Sequence, residues 1–170
     1  PHDITVVSNA VRPPMGIEGK EHITVSQKLY YNPNPNLSVL VYGSSFFMNT
    51  YDLIQDMTFS QARDWTAGTK VTYHVKDWFS VTGSLHADFY DRFKRHERID
   101  KRQKDYESSI YQPRLTVTSN YFNGHSLILG MEHTSDELTS DRFSGNANHD
   151  LKTRALKETE YFLQDEWTIN

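Results

Sequence analysis

The chain has 170 residues, 18 Lys and Arg against 22 Asp and Glu, a formal charge of -4 and no cysteine. The length allows about one ordinary domain, the slight acidity gives no general case for nucleic-acid binding, and the absence of Cys excludes disulfides, Cys-ligated zinc and a thiol nucleophile. Mean hydropathy is -0.69 and no apolar run approaches the ~18 residues of a membrane-spanning helix, whereas a membrane β-barrel stays open because its strands alternate apolar and polar residues.

Helical periodicity is poor, and period-2 segments rich in Thr, Val, Tyr, Phe and Ser recur instead. In chain order the predicted strands are Asp3–Ser8, His22–Tyr31, Leu37–Asn49, Thr66–Val75, Phe79–Asp91, Ser109–Tyr121, Ser126–Thr134 and Lys157–Ile169. Tight turns are expected at Asn32–Asn36, Lys76–Trp78 and Phe122–His125, where Pro, Asn and Asn-Gly supply the turn chemistry. Longer polar loops are expected at Asn9–Glu21, Thr50–Trp65, Arg92–Ser108 and Ser135–Leu156. This long-short alternation puts the tight turns at one end of the sheet and the loops at the other, as in outer-membrane barrels.

The strand faces agree with that reading. The fifth segment places Phe79, Val81, Gly83, Leu85, Ala87 and Phe89 on one side, with Ser80, Thr82, Ser84, His86, Asp88 and Tyr90 on the other. The fourth and sixth alternate in the same way, with Trp65 and Val71, and Tyr111, Leu115 and Tyr121, on their apolar sides. Phe79 and Phe89 are ten residues apart, as are Tyr111 and Tyr121. At ~3.3 Å per residue and a tilt of ~40° that separation spans about 25 Å, the height of a lipid-facing band with an aromatic girdle at each edge. Trp65, Phe79, Phe89, Tyr111, Tyr121 and Trp167 are the expected girdle. In any β protein large aromatics also end strands, which is the plainer explanation. A three-residue Asn123-Gly124-His125 loop pairs Tyr121 with Leu127 and keeps both outward, with Gly124 at positive φ. The third segment is apolar on both sides (Val39, Val41 and Phe47 against Leu40, Tyr42, Phe46 and Met48). Either an apolar object covers its inner side or a bulge shifts its register.

The final segment, Glu160-Tyr161-Phe162-Leu163-Gln164-Asp165-Glu166-Trp167-Thr168-Ile169-Asn170, resembles a recurrent strand of TonB-dependent outer-membrane receptors, in which an aromatic-rich stretch runs into Gln-Asp-Glu-Trp before a periplasmic turn. The turn Asn32–Asn36, the strand Trp78–Tyr90, and Thr116–Tyr121 followed by Asn-Gly read like hairpins of the same family. The resemblance implies a barrel of about 22 strands around a plug, in the bacterial outer membrane. It also implies uptake of an iron chelate, haem or cobalamin, energised by a TonB-type coupling protein that contacts the plug. About eight strands are present, with no plug segment, no TonB box and no terminal aromatic after Ile169. The expected fold is all-β: antiparallel, up-and-down transmembrane β-barrel strands, with residues 1–170 a fragment of one larger barrel domain. Asp165 shares the outward side with Tyr161, Leu163 and Trp167, a costly place for a carboxylate except near an interface.

Candidate ligand groups are lumen or loop residues: His74 and His86 on polar sides, Tyr90, His96, His133 and His149 in or near the long loops, and Arg98 within a stretch of seven basic residues from Arg92 to Lys104. Imidazole and phenol groups could hold haem or a metal chelate. For any single histidine a solvated polar face is the favoured explanation. The basic stretch could meet lipopolysaccharide phosphates or an anionic ligand, or be a solvated loop. It lacks the aromatic interleaving that stacks bases, so no nucleic-acid partner is expected. Glu158, Glu160 and Glu166 line the lumen in this reading. No nucleophile elbow, phosphate loop or zinc-protease motif is present, so neither an enzyme nor a cofactor is expected. Two alternatives remain. One is a complete small eight-stranded outer-membrane barrel. The other is a soluble β-sandwich that binds carbohydrate, which would bury Phe79, Val81, Leu85 and Phe89 in protein.

Overall fold

Residues that alternate β-branched or aromatic with hydroxyl side chains suit a pleated sheet with one apolar side. In the computed structural model, which describes residues 2–11, 18–52, 58–96, 101–121, 124–140 and 151–167, they form an eight-stranded antiparallel sheet. The strands are β1 (His2–Val11), β2 (Glu18–Asn34), β3 (Leu37–Asp52), β4 (Thr58–Lys76), β5 (Phe79–His96), β6 (Lys101–Ser119), β7 (His125–Ser140) and β8 (Lys152–Trp167). Each pairs with its chain neighbour, so the order is β1 to β8, up and down. The fold is all-β, as expected from the sequence. Among the described residues no helix is long and apolar enough to cross a membrane. Among those residues β1 and β8 are the two edges, and no pairing joins them.

The strands run further than the alternation indicated. Much of the expected loops Thr50–Trp65, Arg92–Ser108 and Ser135–Leu156 is paired strand: Gln61 faces Phe93, Tyr90 faces Ser108, and Leu138 faces Arg154. Those stretches are polar on both sides, so the period-2 signal fades, while the backbone ladder needs no apolar side chains. The tight turns shorten to the two-residue Pro35-Asn36 and Asp77-Trp78. An irregularity between Tyr31 and Asn34, and another between His74 and Lys76, absorbs the extra residue of β2 and β4.

The third hairpin corrects the expected register. Leu127 pairs with Ser119, not with Tyr121. The β6–β7 ladder ends at this pair, while on its other edge β6 continues the β5 ladder by one bond, from the Asn120 N–H to the Trp78 carbonyl at 2.7 Å. Leu127 still lies on the expected side, since the register moves by an even number of residues. Gly124 does take a positive φ of 79°, while Asn123 lies outside the described residues. In β3 the bulge explanation drops out: pairing with β4 runs unbroken from Leu37 to Tyr51. Leu40, Tyr42, Phe46 and Met48 therefore belong to the polar side of the sheet.

That register gives the sheet two unlike faces. One carries Ile23, Leu29, Val41, Trp65, Val71, Leu85, Phe89, Leu115, Leu129, Met131 and Leu163, all exposed. The other carries Thr24, Thr66, His86, Asp88, Gln112 and Thr116, all half-buried. Polar side chains crowd one another while apolar ones splay, as in a sheet curled toward its polar face. No protein core compensates: among the described residues the buried hydrophobic side chain is Ala62, and no large side chain is fully buried.

Two aromatic rings lie flat on the polar face, Tyr42 over Gly68 and Phe162 over Gly130, each filling the space a Cβ would occupy. A glycine inside a strand thus marks a close approach. Gly68→Val is expected to destabilise the chain by about 1–3 kcal/mol through steric conflict with the Tyr42 ring. Urea unfolding from detergent micelles checks this, and the penalty should largely vanish in a Tyr42→Ala background.

Candidate functional site

The apolar face is bounded by aromatic side chains at both ends. Toward the loop end, Phe47 meets Trp65 edge-on at 5.3 Å, Trp65 pairs with Phe89, and Phe89 meets Tyr111 at 5.4 Å. Toward the turns lie Tyr31, Tyr73, Phe79, Trp78, Tyr121 and Trp167, with Trp78 5.0 Å from Tyr121 and 5.8 Å from Phe79. Between Phe79 and Phe89 β5 itself carries no extra residue, the shift beside Phe79 falling on β4 between His74 and Lys76, so the ten-residue spacing is a true strand distance of ~33 Å.

Both aromatic rows cross the strands obliquely. The hydrogen-bonded row from Phe47 passes through Arg63 and Asp91 to Glu107, and Tyr111 lies four residues nearer the turns, after three strand steps. The row from Tyr31 passes through Val39, Val71, Gly83, Leu115 and Met131 to Tyr161, and Trp167 lies six residues nearer the turns, after six steps. With ~3.3 Å per residue and ~4.8 Å between strands, these slips correspond to strand tilts of about 43° and 35°. The two rows slip in the same direction.

Charged groups on the apolar face sit toward its margins, whereas the neutral Gln27, Ser45 and Thr69 lie within it. Asp165 lies at the turn end, its Oδ2 2.9 Å from His125 Nδ1, and the His125 ring stacks on Trp167 at 5.4 Å. Beyond the loop-side aromatics the face becomes charged: Lys104 Nζ binds Asp91 at 2.8 Å and Glu107 at 2.7 Å. A groove of about 510 Å³ opens over Gly43, between Val25, Leu29, Val41 and Trp65.

The polar face is tied across strands by side-chain hydrogen bonds. Thr66 donates to Asp88 at 3.0 Å, Thr72 and Thr82 bond at 3.0 Å, and the Tyr42 hydroxyl lies 3.0 Å from His86 Nδ1. At its loop end the pairing shifts between Arg92 and Phe93, so that Asp105 becomes the extra residue of β6. Asp105 is 2% exposed. Its carboxylate accepts bonds from Arg92 Nη2 at 2.8 Å and pairs with Lys94 Nζ at 3.2 Å, while Ser140 Oγ donates to its carbonyl. Burial pulls this carboxyl upward, but the hydrogen bonds and charges of Arg92 and Lys94 outweigh it and hold Asp105 below the usual carboxylate range.

The expected girdle residues Trp65, Phe79, Phe89, Tyr111, Tyr121 and Trp167 all edge the apolar face. The expected ligand residues do not converge. His86 pairs with Gly68, six positions along β4 from His74, a separation of ~20 Å. Tyr90 stacks edge-on with Tyr106 at 5.5 Å. His133 belongs to neither lumen nor loop: it lies within β7 on the apolar side, its Nδ1 2.8 Å from Thr159 Oγ1. It falls inside the expected strand Ser126–Thr134, and β7 continues beyond it through Asp136–Ser140. His96 ends β5, opposite Thr58 and Lys101. Arg98 and His149 lie outside the described residues. Arg92, Lys94 and Lys104 are neutralised by Asp105, Asp91 and Glu107, which favours the solvated-surface explanation for that part of the basic stretch. Among the described residues no three His, Asp or Glu side chains converge as a metal site would require. Sequence reading passed over Tyr31, Phe47, Tyr73 and Trp78 in the aromatic rows, and over the Tyr42–His86 pair, whose signal was the glycine opposite both.

No family model, no curated protein and no solved structure matches this chain.

The depressed Asp105 carboxyl gives a pH dependence with a definite sign. Its contribution is fully present above the unfolded value of ~3.9 and is lost as pH falls through the lower folded value. A spin label at Glu107→Cys should gain mobility below about pH 4. Asp105→Asn should be mobile at every pH, at a cost of about 1–3 kcal/mol.

Proposed function

We propose that this chain is a run of transmembrane strands from a bacterial outer-membrane β-barrel of the TonB-dependent receptor type, taking up a scarce nutrient such as an iron chelate, haem or cobalamin. The observation that carries the membrane part is the continuous apolar face. It is exposed, bounded by aromatic rows about 25 Å apart, and crossed by strands tilted within the ~35–45° of such barrels. In water so large an apolar surface would associate or aggregate. In a bilayer it is the surface that lipid requires, and the polar face then lines the lumen.

The receptor part rests on the Glu160–Asn170 segment and its likeness to that family's strands. In this reading the barrel holds a plug that lies outside these residues. The loop-end strands and their charges face the external medium, and the ligand is held by loops and plug together. No residue here is assigned as a catalyst.

The soluble sandwich needs a second layer over Leu85 and Phe89, which are 45% and 38% exposed. The small barrel needs β1 to pair with β8.

The intact mass of the native polypeptide, from membranes washed with urea, tests the proposal. A urea-resistant species of roughly 70–90 kDa, the size that ~22 strands and a plug require, is the expected result. A urea-resistant species near 19.8 kDa would remove the receptor reading and leave a self-contained barrel. Release into the wash would remove both.

A further inference from the structure

We propose that two copies of this chain pack side by side in the membrane through the outward faces of β2, β3 and β4, with Gln27 of each copy bonded to Thr69 of the other. The inference rests on the membrane-spanning reading above and names a protein neighbour for one strip of that face.

Two hydrogen-bonding side chains lie in the middle of the apolar band. Thr69 is four residues from Trp65 and four from Tyr73 on the outward side of β4. Each aromatic row is therefore ~10 Å away along the membrane normal at a tilt of ~40°. Gln27 shares a hydrogen-bonded row with Gly43 and Ala67. Over two strand steps the aromatic rows slip about two to three residues toward the turns, and Thr69 lies two residues beyond Ala67 in that direction. Gln27 and Thr69 thus stand at one depth, on either side of β3. At the same depth β5, β6 and β7 carry Leu85, Leu115 and Leu129, all exposed.

Neither polar group is satisfied within its own copy. Among the described residues no side-chain hydrogen bond reaches Gln27 or Thr69, and two strand spacings, ~9.6 Å, keep them apart. An unpaired amide or hydroxyl is costly in hydrocarbon. Acyl chains offer neither donor nor acceptor, so lipid cannot cover this strip as it covers Leu85 or Leu129.

A second copy can. Copies inserted in the same orientation are related by a twofold along the membrane normal. With that axis over β3, the Gln27 side of one copy meets the Thr69 side of the other, twice and at equal depth, as an isologous contact requires. The amide and the hydroxyl each donate and accept. The groove of about 510 Å³ over Gly43 lies at this axis, where a small residue lets two membrane segments approach closely. Between the aromatic rows the outward sides of β2, β3 and β4 carry no charged side chain to oppose the contact.

The native polypeptide in its own outer membrane carries the test. Val41→Cys, beside the axis, is oxidised with a lipid-soluble copper complex, and Leu129→Cys, at the same depth on β7, is the control. A disulfide-linked product of twice the native mass should form at least about tenfold faster from Val41→Cys. Gln27→Leu and Thr69→Val should each slow it about tenfold, since each removes both symmetric bonds. The double variant should lose no more than either alone, because the same bonds are gone. Equal rates at the two cysteines, no effect of Gln27→Leu, or additive losses in the double variant would overturn the proposal. So would a product of any other mass, in favour of a different protein neighbour. A nitroxide at Leu129→Cys reports oxygen collisions in the same membranes. Loss of lipid contact there would withdraw the membrane reading and the pairing with it. A lipid-exposed Leu129 beside an unlinked Val41→Cys would withdraw the pairing alone.

Discussion

Hydrogen bonds between neighbouring strands set everything else in this molecule. Each strand pairs with its chain neighbour, and side chains alternate with a period of two, so one register fixes which residues share a face across the sheet. A slip of one residue in any hairpin would throw half the apolar set onto the polar side. The chain holds parity through three irregularities. Two sit beside tight turns, and the third, at Arg92–Phe93, lies beyond the loop-side aromatic row. None falls within the apolar band.

The two faces then solve different problems. Among the described residues no protein covers the apolar face, and in the proposed membrane reading its aromatic rows mark where the surroundings change from apolar to wet. The polar face is crowded and internally bonded, with Tyr42 and Phe162 seated on glycines and Asp105 clamping the loop ends of β5 and β6. A sheet stabilised in this way does not depend on a core, which agrees with the near absence of buried side chains. Its weak places are the two edges. There, among the described residues, the backbone ladder stops.

Much of this was legible in the sequence, for a physical reason. Between the aromatic rows apolar and polar residues alternate because the two faces differ in chemistry, so β4, β5 and β6 declared both their existence and their facing. Beyond the band both sides meet water and the alternation carries no information. The continuation of β4 through Gln61–Asp64, and of β7 through Asp136–Ser140, was therefore read as loop. The register of the third hairpin, with Ser119 opposite Leu127, is one that the local Asn-Gly turn rule does not contain. The candidate ligand residues failed to converge for a related reason. Face membership could be read from parity, which also sets His133 beside Leu127 and Met131 on the apolar side, but position along the strand needs the pairing, and the pairing separates His74 from His86.

The central claim is that the odd-numbered residues of β5 face lipid while the even-numbered ones face an aqueous lumen. The most direct measurement places a single nitroxide in turn at every position from Phe79 to Phe89 of the chain in bilayers. Collisions with oxygen and with a water-soluble nickel chelate are then compared at each position. The account predicts a strict period of two, with oxygen dominant at Val81, Gly83, Leu85 and Ala87 and the nickel chelate dominant at Thr82, Ser84 and His86. Equal accessibility at both sets, or protection of the odd set from both reagents, would mean that protein rather than lipid covers the apolar face and would contradict the account.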